Sequence, residues 1–193
     1  FLFAKRNPER FARWLVLAME TPTNFFYGLA DRMGLDAPLS KLLSWFSSSK
    51  ASKQGELEHF HIIPGVREML ESLSEHYPLG IVSARDGVST QKFLEHFDLV
   101  PFFQTVVSSQ TCKHTKPFPD PVIYAAQQLT MSPSDCVMVG DTVVDVRAGR
   151  SAGAQTVAVL CGFGTQRELK RAGADLILTT TPDLTKFLLD EQQ

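Results

Sequence analysis

The stretch VMVGDTVVDVRAGRSAGAQTVAVL, residues 137–160, decides the fold. It opens on a short run of aliphatic residues, Val137 to Val139, broken by Gly140 and Asp141. Apolar residues then recur at helical spacing from Val143 until Gly153 supplies a stop, and AQTVAVL resumes a short aliphatic run. Strands without polar alternation are buried on both faces, and one short helix between two of them makes a parallel βαβ unit.

The same alternation extends in both directions from this unit. Upstream, PGVREMLESLSEHY reads as a helix opened by Pro64, YPLGIVSAR as a strand, residues 87–97 as a helix, FQTVVSS as a strand and residues 119–129 as a helix. Downstream, TQRELKRAG is helical, LILTT a strand and PDLTKFLLD a final helix. The expected architecture is α/β: a doubly wound, Rossmann-like parallel sheet.

Residues 1–50 differ in character, with no strand-like run. Asn7-Pro8-Glu9 is a cap and first-turn signal, and Phe11, Trp14, Leu15 and Ala18 follow at helical spacing. SSSKASKQGE, residues 47–56, reads as a linker. The expected division is therefore a small helical unit with its linker over 1–60 and the α/β core over 61–193.

Bulk properties exclude several classes. At 193 residues, 44% hydrophobic and 21% charged, the chain has the composition of a globular protein with one good core. A net charge of −2 gives no reason to expect nucleic acid or an anionic membrane as partner. No apolar run is long enough to cross a bilayer. Cys112, Cys136 and Cys161 are scattered and form no CxxC pair, which predicts a reducing, cytoplasmic setting without disulfides or zinc.

In open parallel sheets the ligand crevice lies beyond the carboxyl ends of the strands. Three places put polar residues there. Ser83, Ala84, Arg85 and Asp86 follow the strand GIV; Lys116 lies in the loop after TVVSS; Asp141 follows VMVG, with Asp145 four residues later. Each alone has an ordinary reading, as a turn serine, a solvated lysine or the cap of the next helix. Converging on one edge, they describe phosphate chemistry. Ser83 hydrogen-bonds a phosphoryl oxygen, Lys116 offsets charge, and Asp141 holds a divalent cation with oxygen ligands, which suits Mg²⁺.

Taken together, IIPGVREMLESLSEHYPLGIVSAR, TKPFPDPVIYAAQQL and VGDTVVDVRAGRSAGAQTVAV resemble the second, third and fourth motifs of the haloacid dehalogenase-like hydrolase superfamily, over residues 62–186. The closest likeness is to its phosphoglycolate phosphatase-like branch. The resemblance implies a Mg²⁺-dependent phosphatase with a helical cap domain, acting on a small-molecule phosphate ester through an aspartyl-phosphate intermediate. It implies catalytic roles for Ser83 and Lys116, phosphate binding by Ser83, Ala84 and Lys116, and metal binding by Asp141. Asp145 would support the metal through water or by orienting Lys116. A monomer or homodimer is expected, with no nucleic acid and no membrane.

The family's first motif, a D-x-D pair supplying the nucleophile, has no counterpart in this sequence. The resemblance places it on a central strand upstream of Phe1, and without that strand two neighbours would lie unpaired. The alternatives are a catalytically inactive phosphate-binding or regulatory module of the same fold, or a phosphomutase of the same superfamily. GFGTQR, residues 162–167, lacks the third glycine of a dinucleotide loop and is read as a plain turn. Ser83 lacks a GxSxG elbow, and His59 and His61 are read as surface residues, not as a metal pair. Arg13, Asn24 and Tyr27 are candidates for substrate selection in the cap, and Arg85 is read as solvated.

Overall fold

The structure, a computed structural model, describes residues 61–189. The expected helices of residues 1–50, the linker, His59, Arg13, Asn24 and Tyr27 lie outside the described residues. Within them the expected alternation is present throughout. The elements are α1 (Val66–Ser74), β1 (Gly80–Val82), α2 (Gly87–His96), β2 (Thr105–Val107), α3 (Asp120–Gln128), β3 (Val137–Gly140), α4 (Val143–Ala152), β4 (Gln155–Val159), α5 (Gln166–Ala172), β5 (Leu176–Leu178) and α6 (Asp183–Leu189). Two single 3₁₀ turns, Val100–Phe102 and Pro133–Asp135, lead into β2 and β3. Helix α1 begins two residues later than Pro64 suggested, because Gly65 takes the left-handed conformation at φ 83° and cannot continue a helix backwards.

All strand pairs are parallel. β1 pairs with β2 from Gly80 opposite Thr105 to Val82 opposite Val107. β3 pairs with β4, and β4 with β5. The ladder is thus in two pieces, β1–β2 and β3–β4–β5. Between them the inner edges of β1 and β3 have no ladder partner among the described residues. A cavity of about 360 Å³ lies there, lined by Gly80 and Val82 of β1, Val137 and Val139 of β3, and apolar helix residues such as Leu73 and Leu184.

Both faces of the sheet are covered. Leu70, Leu73, Leu94 and Leu184 bury one face, and Val146, Ala158 and Leu169 form a second cluster around β4. Helix α4 lies unusually close to β3 and β4. A Cβ on Gly149 would stand 2.7 Å from the Thr156 methyl and 2.8 Å from Met138 Cβ, so a larger residue would push the helix off the sheet. Thr142 caps α4 and Gly153 ends it at φ 84°. This close seat fixes where the start of α4, and hence the loop after β3, sits. Among the described residues no helix is long and apolar enough to cross a membrane.

Candidate active site

The carboxyl end of β1 runs directly into Ser83. Its backbone N–H donates to Val107 O at 2.8 Å, extending the β1–β2 ladder one residue past the strand. Its hydroxyl oxygen accepts from the Arg85 N–H at 3.1 Å, folding the following residues into a tight turn with Ala84 exposed at its tip. Asp86 then caps α2, accepting from the Ser89 N–H at 2.9 Å. That amide bond holds its carboxyl below the usual carboxylate range. The Ser83 hydroxyl proton has no acceptor among the described residues, which suits it to a ligand oxygen.

Lys116 joins the end of β1 to the start of α4. Its ammonium donates to Val82 O, the last carbonyl of β1, at 2.9 Å, and to Asp145 Oδ1 at 2.6 Å. The side chains are 11% and 7% exposed, so this is a nearly dry ion pair, held from both sides. The remaining Asp145 oxygen, Oδ2, accepts from the Thr142 N–H at 3.0 Å and the Thr142 hydroxyl at 2.6 Å. Asp145 therefore aims Lys116 directly while closing the capping box of α4.

Asp141 has a different role from the cap its position suggests. Thr142 is the N-cap, and helical geometry starts only at Val143, so Asp141 and Asp145 do not share a helix face. The carboxylates are held apart by separate partners. Asp141 Oδ2 accepts from the Phe163 N–H at 2.8 Å, and its carbonyl accepts from the Gly164 N–H at 2.7 Å. Its Oδ1 has no partner among the described residues. A carboxylate pinned by one oxygen and open at the other is suited to a cation.

Two features were missed by reading the sequence. The first is the Thr142–Asp145 capping box, although T-x-x-D before an apolar run is its ordinary signature. The second is the loop of Gly162 to Gly164. It is more than the plain turn expected. A Cβ on Gly162 would collide with the Asp141 carboxylate, and one on Gly164 with the Asp141 carbonyl. The two glycines let this backbone close on Asp141, and the signal available was their placement straight after a strand at the ligand edge. His61 is exposed, and the described residues contain no group of three or more His, Cys, Asp or Glu side chains able to hold a metal by themselves.

A strand-end serine, a lysine joining one strand end to the following helix start and an aspartate beyond a third strand are the arrangement that the haloacid dehalogenase-like resemblance implies. The chain belongs to the haloacid dehalogenase-like hydrolase family, whose model matches residues 24–159. It is 29% identical over 129 residues to the phosphoglycolate phosphatase of Nitrosococcus oceani, covering 66% of this chain and 57% of that protein. It is 33% identical over 131 residues to the pyrophosphatase PpaX of Bacillus velezensis, covering 66% of this chain and 61% of that one. The chain thus spans somewhat over half the length of these relatives. Among solved structures, a haloacid dehalogenase family hydrolase from Deinococcus radiodurans with bound phosphate and sodium superposes with a TM-score of 0.60 at 27% identity, covering 67% of this chain and 60% of that one. The β-phosphoglucomutase of Clostridium difficile gives 0.58 at 26% identity, covering 68% and 56%.

Proposed function

We propose that the protein is a Mg²⁺-dependent phosphatase of small-molecule phosphate monoesters, working through an aspartyl-phosphate intermediate. The observation that carries this reading is the Lys116 ammonium. It is fixed between Val82 O and Asp145 at the strand ends where Ser83 and Asp141 begin their loops. A positive charge held in a nearly dry place is what a transferring phosphoryl group requires. Ser83 donates its free hydroxyl proton to a phosphoryl oxygen, Ala84 lies in the turn beside it, and Lys116 neutralises charge on the phosphate as it builds. The bound phosphate of the Deinococcus relative and the phosphatase names of the curated relatives support the same chemistry.

The donor set fits Mg²⁺. This cation commonly takes one or two carboxylates, with water and substrate phosphate completing its shell. Asp141 would hold it through Oδ1, with Asp145 behind, its own oxygens engaged by Lys116 and Thr142. When bound, the ion would polarise the phosphoryl group and screen it from an approaching carboxylate.

The nucleophile is assigned to an acidic residue on a strand between β1 and β3, encoded upstream of Phe1. What supports this is the gap itself: two strand edges with no ladder partner among the described residues and an apolar lining suit a doubly buried strand. Its carboxyl end would emerge beside Lys116. Residues 1–60 would serve as cap and linker, selecting the leaving group and excluding water, with 61–193 as core.

Turnover of p-nitrophenyl phosphate by the full gene product, with Mg²⁺ and with EDTA, tests the reading. Hydrolysis abolished by EDTA and by Lys116→Met is expected, while no metal-dependent turnover overturns it. The likeness to a β-phosphoglucomutase favours one second reading, a phosphomutase. Transfer of phosphate to a sugar phosphate in place of water would establish it.

A further inference from the structure

Lys116 must reach a strand end, Val82 O, and the first turn of α4 at Asp145 from a loop, and something has to hold that loop in place. His114 and Asp120 lie on either side of it. The His114 Nδ1–H donates to Asp120 Oδ1 at 2.8 Å, closing a ring of chain with Lys116 inside. The His114 ring also packs on Phe118, with centroids 5.1 Å apart, so it is gripped from two directions. Asp120 is a firm anchor. It opens α3, where a carboxylate is favoured by the helix dipole, and α3 packs against β1, β2 and α4. Pro119, the N-cap, contributes no side-chain cap, so Asp120 is the acidic group at that end.

We propose that the His114–Asp120 pair is a clamp that sets the reach of Lys116, acting as a positioning device with no contact to substrate. Two ordinary facts make such a clamp necessary. A lysine has more rotamer entropy to lose than almost any side chain, and this one is held at two points about 3 Å away on elements that do not pair with each other. The backbone carrying it must therefore be fixed before the ammonium can be. Phe118 N–H bonds Thr115 O at 3.0 Å, tightening the same loop from within, and the imidazole–carboxylate bond ties the loop to the helix. A plain surface ion pair would do none of this; the His114 and Asp120 side chains are 23% and 36% exposed, enclosed enough to be held in one geometry.

The geometric claim is independent of the phosphatase reading, whereas its consequence for turnover rests on that reading. The test therefore has two arms on the full chain. In the first, trace acetylation with acetic anhydride is followed by mass spectrometry at Lys116, with the exposed Lys92 and Lys170 as internal references. In His114→Ala, Lys116 should acetylate about fivefold faster, the change that about 1 kcal/mol of pair energy corresponds to, with both references unchanged. His114→Asn, which keeps a donor near the Nδ1 position, should return the wild-type rate. An unchanged Lys116 rate in His114→Ala overturns the clamp. So does a rise shared by all three lysines, which would make the pair a general stabiliser. If His114→Asn behaves like His114→Ala, ring packing on Phe118 is responsible and the hydrogen-bonded clamp is wrong. In the second arm, kcat/KM for p-nitrophenyl phosphate should fall in His114→Ala and recover in His114→Asn. Absence of turnover in every form, wild type included, would refute the phosphatase reading and leave the labelling result standing.

Discussion

The Lys116–Asp145 pair offers the sharpest quantitative test of how this site is built. Lys116→Met removes the ammonium while keeping an unbranched side chain of similar length. Asp145, 7% exposed, then keeps only Thr142 as partner among the described residues, and the Val82 carbonyl loses its Lys116 donor. Breaking a buried ion pair from one side costs about 3–5 kcal/mol, because the surviving charge is left without compensation in a dry place. For a unit the size of residues 61–189, a loss of about 3 kcal/mol corresponds to roughly 10 °C in Tm. Asp145→Asn should cost a comparable amount, since it weakens the capping box and turns an amide N–H towards Lys116. The double variant decides the matter. Removing both charges leaves no unpaired charge, so the two losses should fail to add by about 2 kcal/mol or more. Denaturant or thermal unfolding of all four proteins measures this coupling. Additivity within about 0.5 kcal/mol would refute the claim that Lys116 and Asp145 form one unit.

Three further outcomes are expected. Thr142→Ala removes the capping hydroxyl of α4, and with it the bond it donates to Asp145 Oδ2 and the one it accepts from the Asp145 N–H, and should cost about 1–2 kcal/mol in unfolding experiments, with Thr142→Ser restoring most of it. Gly162→Ala should displace the 162–164 loop from Asp141 and break the Phe163 bond, weakening Mg²⁺ binding measured by calorimetry while leaving Tm nearly unchanged. The Asp175 carboxyl is held below its ordinary value chiefly by the Thr156 hydroxyl, then by the Thr156 N–H, both donating to Oδ2. Its folded pKa is depressed, so its contribution is present above the unfolded value of about 3.9 and lost as pH falls through the folded one. The stability difference between wild type and Asp175→Asn should accordingly shrink on acidification below about pH 4, as read by unfolding at stepped pH.

Much of the fold was legible because period and punctuation are local properties. The run Val137–Val139, the helical spacing from Val143 and the stop at Gly153 placed β3 and α4 within a residue of where they lie. The parallel sheet followed from strands with no polar face, and strand direction alone put Ser83, Lys116 and Asp141 on one edge. Strand bounds were read too wide, since YPLGIVSAR and FQTVVSS keep only Gly80–Val82 and Thr105–Val107 as strand, and the left-handed φ at Gly65 delays α1.

Contacts between distant segments were another matter. The sequence named Asp141 and Asp145 as two acids four residues apart and left open whether one of them caps a helix. Tertiary structure separated them: Thr142 takes the cap, Asp145 turns inward to Lys116, and Asp141 turns to a loop 22 positions on. Nothing in a single stretch of residues states which carboxylate meets which donor, because that depends on the seat of α4 on β3 and β4 that Gly149 permits. The sequence by itself determined the order of elements and the edge at which chemistry gathers, through side-chain period and strand direction. Only the tertiary structure decided which oxygen stays free and which is spent, since that rests on packing distances between residues far apart in the chain.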